Sequence, residues 1–104
     1  MAEMSVGFFG SYIDPKENSD KVWGWLNVEG TPYFFWAKRG ARMNFKRADS
    51  FEDARTKARS KTKKGYREVF DEVEIEKLYP EFFKISQRQL FNAKMRGRVL
   101  NEGT

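Results

Sequence analysis

Lys21 to Glu29 alternates cleanly: Val22, Gly24, Leu26 and Val28 point one way, Trp23, Trp25 and Asn27 the other. A period of two is the mark of a strand, because a helix would scatter both sets around its axis. Gly30-Thr31-Pro32 follows as a hairpin signal, and Tyr33 to Lys38 reads as the returning strand. The chain is thereby committed to an antiparallel pair. Trp23 and Trp25 share a side, and at least one is expected to lie under a helix, with ligand contact as the second reading.

The flanking segments extend this pair into an α+β domain. Ser5 to Ile13, aromatic and glycine-spaced, predicts a first strand ending at Asp14-Pro15. After Gly40, Ala41 to Arg47 adds either a fourth strand or a loop. Ser50 is a preferred N-cap, with Asp53 three residues on as a short version of the capping box. Phe51, Ala54 and Ala58 then form one narrow apolar stripe fit to pack on a sheet. Gly65 is a natural stop for that helix. Tyr66 to Ile75 predicts a return to strand, with Val69, Val73 and Ile75 as its apolar members. Pro80 suits a first helical position, and Phe82 to Arg96 predicts a second helix stopped by Gly97. Phe82, Phe83, Leu90 and Ala93 share a face that can dock on the sheet. Ile85, Phe91 and Met95 fall off that face and are a candidate partner-binding set. The expected fold is one α+β domain over 1–104: an antiparallel β-sheet, a basic helix packed on one face, and an additional C-terminal helix over 80–97.

Charge is distributed unevenly along this frame. A net +5 hides a segment from Trp36 to Tyr66 that carries Lys38, Arg39, Arg42, Lys46, Arg47, Arg55, Lys57, Arg59, Lys61, Lys63 and Lys64. Only Asp49, Glu52 and Asp53 oppose them, and the aromatic run Tyr33-Phe34-Phe35-Trp36 opens onto the segment. Positive charge beside stacking rings suits a phosphate backbone and its bases or sugars. Just beyond, Glu68, Asp71, Glu72, Glu74 and Glu76 reverse the sign. A sequence pI near 9.6 favours acidic partners, nucleic acid first.

Several functions are disfavoured by what the chain lacks. With no histidine and no cysteine it has neither the commonest general base nor a thiolate metal site. No Gly-Lys-Ser/Thr phosphate loop and no nucleophile elbow is present. Lys64-Gly65-Tyr66 begins like the aromatic strand of an RNA-recognition motif, but Arg67, Glu68 and Asp71 break the pattern. The acidic run lacks the acid-x-lysine core of common nuclease sites, since Ile75 stands two residues before Lys77. No catalytic residue, metal or cofactor is expected, so the chain is read as a non-enzyme. No segment has the roughly 20 apolar residues of a membrane span or the pattern of a signal peptide. The expected location is a reducing compartment, cytoplasmic or nucleoid-associated, without secretion.

Asn18-Ser19-Asp20-Lys21-Val22-Trp23 resembles the Asn-Ser-Asn-Lys-aromatic opening of WGR domains. Trp36-Ala37-Lys38-Arg39-Gly40 occupies the place of their Trp-Gly-Arg-x-Gly. Phe51-Glu52-Asp53-Ala54 and Lys61-Thr62-Lys63-Lys64-Gly65-Tyr66 follow in the family's order, at close to its spacing, so that residues 5–75 are covered. The resemblance implies an antiparallel sheet with a helix on one face. It also implies a DNA role, because WGR domains of DNA-dependent poly(ADP-ribose) polymerases contact ends of damaged DNA. Carried over, Trp36 would stack and Lys38 would stand in the arginine position. Ala37 replaces the first motif glycine, and Lys38 supplies a point charge in place of a planar fork.

The combined expectation is a nucleic-acid-binding protein, DNA before RNA, of low sequence specificity. Its candidate site is Tyr33, Trp36, Lys38, Arg39, Arg42, Lys46, Arg47, Arg55, Arg59, Lys61, Lys63 and Lys64. Trp36 as a core residue, and the helix lysines as a solvated face, stand beside that reading. The alternative function is a small interaction module or inhibitor docking on an acidic partner protein, without a membrane.

Overall fold

The structure, a computed structural model, describes residues 4–39 and 41–95, with the side chains of the last helix described as far as Arg88. In chain order the elements are β1 (Met4–Asp14), β2 (Ser19–Val28), β3 (Thr31–Lys38), β4 (Asn44–Arg47), α1 (Phe51–Lys63), β5 (Arg67–Glu68), α2 (Glu72–Leu78) and α3 (Phe82–Met95). The strands form one antiparallel sheet in the order β4-β3-β2-β1-β5. The expected α+β fold is present, and of Ala41 to Arg47 the first three residues are loop and Asn44–Arg47 is a fourth strand.

Alternation along β2 sends its side chains into two separate cores. Val22, Leu26 and Val28 join Phe9, Phe35, Ile75, Tyr79 and Phe82 on the face covered by α2 and α3. Trp23 and Trp25 join Phe8, Phe34, Ala54, Ala58 and Tyr66 on the α1 face. Both tryptophans are buried, where the sequence required only one of them to be. Adjacent Phe8 and Phe9 lie in opposite cores, as alternation requires. A bulge at Gly7 shifts the pairing between Val6 and Phe8, so that Val6 shares Phe9's face although it lies three residues before it. Gly24 is required sterically, because a Cβ there would overlap the Phe8 carbonyl and the Phe35 ring.

The β2–β3 turn is tighter than the Gly-Thr-Pro signal suggests. Glu29 and Gly30 take φ of 52° and 86°, a two-residue turn with both residues left-handed, and β3 already begins at Thr31. The start of α1 follows the sequence rule, with Ser50 Oγ accepting from the Asp53 N–H at 3.0 Å. Ser50→Ala should therefore cost about 1 kcal/mol of stability in a denaturation curve. An unchanged curve would mean that packing alone sets this helix end.

The acidic segment departs from its expected strand. Only Arg67 and Glu68 pair with β1, and Glu72 to Leu78 is helical. Asp71 caps α2 by accepting from the Val73 N–H at 2.9 Å, and Glu72 and Glu74 favour its N-terminal dipole. Helical spacing brings Ile75 and Tyr79 into the core and leaves Val73 exposed. Pro80 does not open α3 either. Glu81 intervenes at φ 61°, and the Glu76 carboxylate accepts from the N–H groups of Glu81 (2.9 Å) and Phe83 (3.5 Å). Much of the acidic run thus builds the corner that docks α3.

Candidate nucleic-acid interface

Residues directly opposite in an antiparallel pair share a face of the sheet. The β2–β3 register sets Trp25 against Phe34, Trp23 against Trp36 and Lys21 against Lys38, so all six lie on the α1 face. Asn44 and Lys46 join them, paired with Trp36 and Phe34. The helix face buries Trp23 and Trp25 but leaves Trp36 39% exposed, against 7% for Trp23. Trp36 is thus neither a core residue nor a free one.

Beside it lies an open hollow of about 380 Å³, lined by Lys21, Trp23, Trp36, Lys38, Lys61 and Tyr66 among others. Lys61 Nζ lies 5.5 Å from the Trp23 ring centre and 5.3 Å from that of Tyr66. Lys21 Nζ is 5.3 Å from the Tyr12 ring, and Lys57 Nζ 4.9 Å from Phe34. These ring faces give the amines local attraction without neutralising their charge. Among the described residues no ion pair involves Lys21, Lys38, Lys57, Lys61 or Lys64; the three that form join Arg39 to Asp20, Arg67 to Glu74 and Lys84 to Glu81. Burial lowers the Lys61 pKa, and the charges of Lys64, Lys21 and Lys57 lower it further. An anion entering the hollow would relieve that repulsion.

The sequence-derived set is divided by this geometry. Trp36, Lys38 and Lys61 meet in the hollow, with Lys46 on the same face. Tyr33 pairs with Arg47 on the opposite face, where Tyr33 packs half-buried against the α2–α3 core. Neither can act beside Trp36. Arg39 is held by Asp20 at 2.7 Å. Arg42 is exposed in the loop before β4. At about 3.6 residues per turn, Lys57, Lys61 and Lys64 form the flank of α1 nearer β3, while Arg55 and Arg59 form the other flank and Lys63 points away from the sheet. Arg55 accordingly lies over Phe51, and Arg59 donates to the Thr56 hydroxyl at 3.3 Å.

Lys21 and Lys57 are the additions. Lys57 was visible in the charge run, whereas Lys21 reaches the site only through strand register. The partner-binding set also changes: Ile85 is half-buried against the core, and the side chains of Phe91 and Met95 lie outside the described residues. Besides Trp36, the large apolar side chains most exposed among the described residues are Phe70, Val73 and Ile13. Among the described residues no acidic or cysteine cluster could hold a metal, and no helix is long and apolar enough to cross a membrane. Compared with family models, curated proteins and solved structures, the chain matches none.

Proposed function

We propose that the α1 face binds nucleic acid, DNA before RNA, as a non-catalytic WGR-like module. The observation that carries this reading is the convergence of Lys21, Lys38 and Lys61 on a half-exposed Trp36, with no carboxylate among the described residues paired to any of them. The amines take phosphate oxygens, and the free face of the indole takes a base or sugar. Lysine and tryptophan carry little base-edge information, so affinity depends weakly on sequence.

Trp36→Ala tests the arrangement directly. Binding to a DNA oligonucleotide should weaken by about 1–3 kcal/mol, with the melting curve little changed. A large loss of folding stability with unaltered affinity would return Trp36 to a packing role. The same basic face suits an acidic protein surface, and a chain that binds no nucleic acid at low salt would favour that second reading.

A further inference from the structure

Among the described residues the sheet has two open edges, and they carry opposite charge. At one end β4 presents Lys46 and Arg47, with Arg42 just before it, all exposed and none in an ion pair among the described residues. At the other end β5 covers only part of β1. Glu68 pairs with Gly10, the Val69 N–H donates to the Phe9 carbonyl at 2.8 Å, and the chain then leaves for α2. Among the described residues, β1 from Met4 to Phe8 has a strand neighbour on the β2 side alone. Beside this stretch runs a groove of about 290 Å³ whose lining includes Val6, Phe70 and Phe83, with Glu68 and Glu72 also on it. Phe70 is 82% exposed there, and Val73 on α2 is 62% exposed.

An unpaired edge of this kind accepts an extended strand through its free backbone groups. The groove adds two requirements, an apolar side chain and positive charge. The sequence Asn44-Phe45-Lys46-Arg47 meets both, and it is already an extended edge strand of matching length. We propose that copies of this chain join head to tail, β4 of one extending the sheet of the next along Met4 to Phe8. Strand direction agrees with this. Three antiparallel steps separate β1 from β4, so a copy translated along the sheet presents its β4 antiparallel to β1. The incoming strand runs on from the end of β5, which brings its Arg42 toward Glu68 and Glu72.

Charge also selects the pairing. Two β4 edges repel through Lys46 and Arg47, two β1–β5 edges repel through Glu68 and Glu72, and only unlike edges attract. The contact is heterologous, so it builds open chains or rings in place of closed pairs. If the functional proposal also holds, translation keeps every α1 face on one side, setting the lysine hollows in a row along one polymer. Self-association itself needs no nucleic acid.

Sedimentation of the full chain without nucleic acid, from micromolar to millimolar concentration at low salt, tests this. The average mass should at least double across the series and fall back to one chain when salt is raised. Arg42→Glu with Lys46→Glu makes both edges acidic, and Glu68→Lys with Glu72→Lys makes both basic. Each variant alone should sediment as a single chain, and an equimolar mixture should regain the associated mass. Melting curves check that both variants fold; if either pair lowers the melting point, Lys46→Glu and Glu72→Lys singly replace them. A wild-type chain at monomer mass throughout, variants that associate as wild type does, or a mixture that stays monomeric would each overturn the proposal. Because no nucleic acid is present, these results leave the binding test of Trp36 independent.

Discussion

Raising salt from about 50 to about 200 mM should weaken binding to duplex DNA roughly 500-fold, if about five phosphates are neutralised. The corresponding slope of log affinity against log salt is about −4 to −5. Lys21, Lys38, Lys57, Lys61 and Lys64 supply that number from the flank of α1 and the facing strands. Changing Lys21, Lys38 and Lys61 together to Gln should make the slope shallower by nearly 3, at about 0.9 per phosphate lost. Arg55→Gln, on the far flank, should change it little. A flat salt dependence in the unmodified chain would remove the electrostatic basis of the proposal, and equal effects from both flanks would remove its geometry.

Phe82→Ala is expected to cost about 3–5 kcal/mol of folding stability, the largest effect of any single truncation considered. Its ring is fully buried and lies 5.2 Å from Phe9, 4.9 Å from Phe35 and 5.1 Å from Phe83, centre to centre. It is the point at which α3 is fastened to the sheet. A domain of this size has roughly 5–15 kcal/mol in total, so the variant should sit near the edge of folding. Urea denaturation measures it. A loss under 1 kcal/mol would mean that α3 contributes little to the fold, and that the α2–α3 face is held by Ile75 and Tyr79 alone.

Local chemistry in the chain foretold the hairpin and α1 well, because single residues decide them. Ser50 caps where its side chain can, and β2 cannot alternate as it does in any other conformation. The acidic segment was harder. Val69, Val73 and Ile75 imitate a strand's spacing, and α2 is only seven residues long, too short for helical periodicity to declare itself. Its outcome rests on the Asp71 cap and on Ile75 and Tyr79 reaching a core built mostly by distant strands. The candidate site divides in the same way. Trp36, Lys38 and Lys61 follow from charge and aromatic content, but Lys21 joins them through a pairing register that no local window contains. Tyr33 could have been set aside at the outset, since an odd separation from Trp36 along one strand places the two on opposite faces. Pro80 misled because its fixed φ suits a helix start, whereas Glu76 reaches across from α2 to supply the cap.

The unequal exposure of the three tryptophans makes the molecule optically informative. Trp23 and Trp25 sit under α1, while Trp36 alone is reached by solvent. Emission should therefore divide into a blue component from the two shielded indoles and a red-shifted one from Trp36. A small soluble quencher such as acrylamide should remove the red component first and leave a narrower, bluer spectrum. Unfolding would move the blue component furthest, so one spectrum helps separate events at the hollow from events in the core.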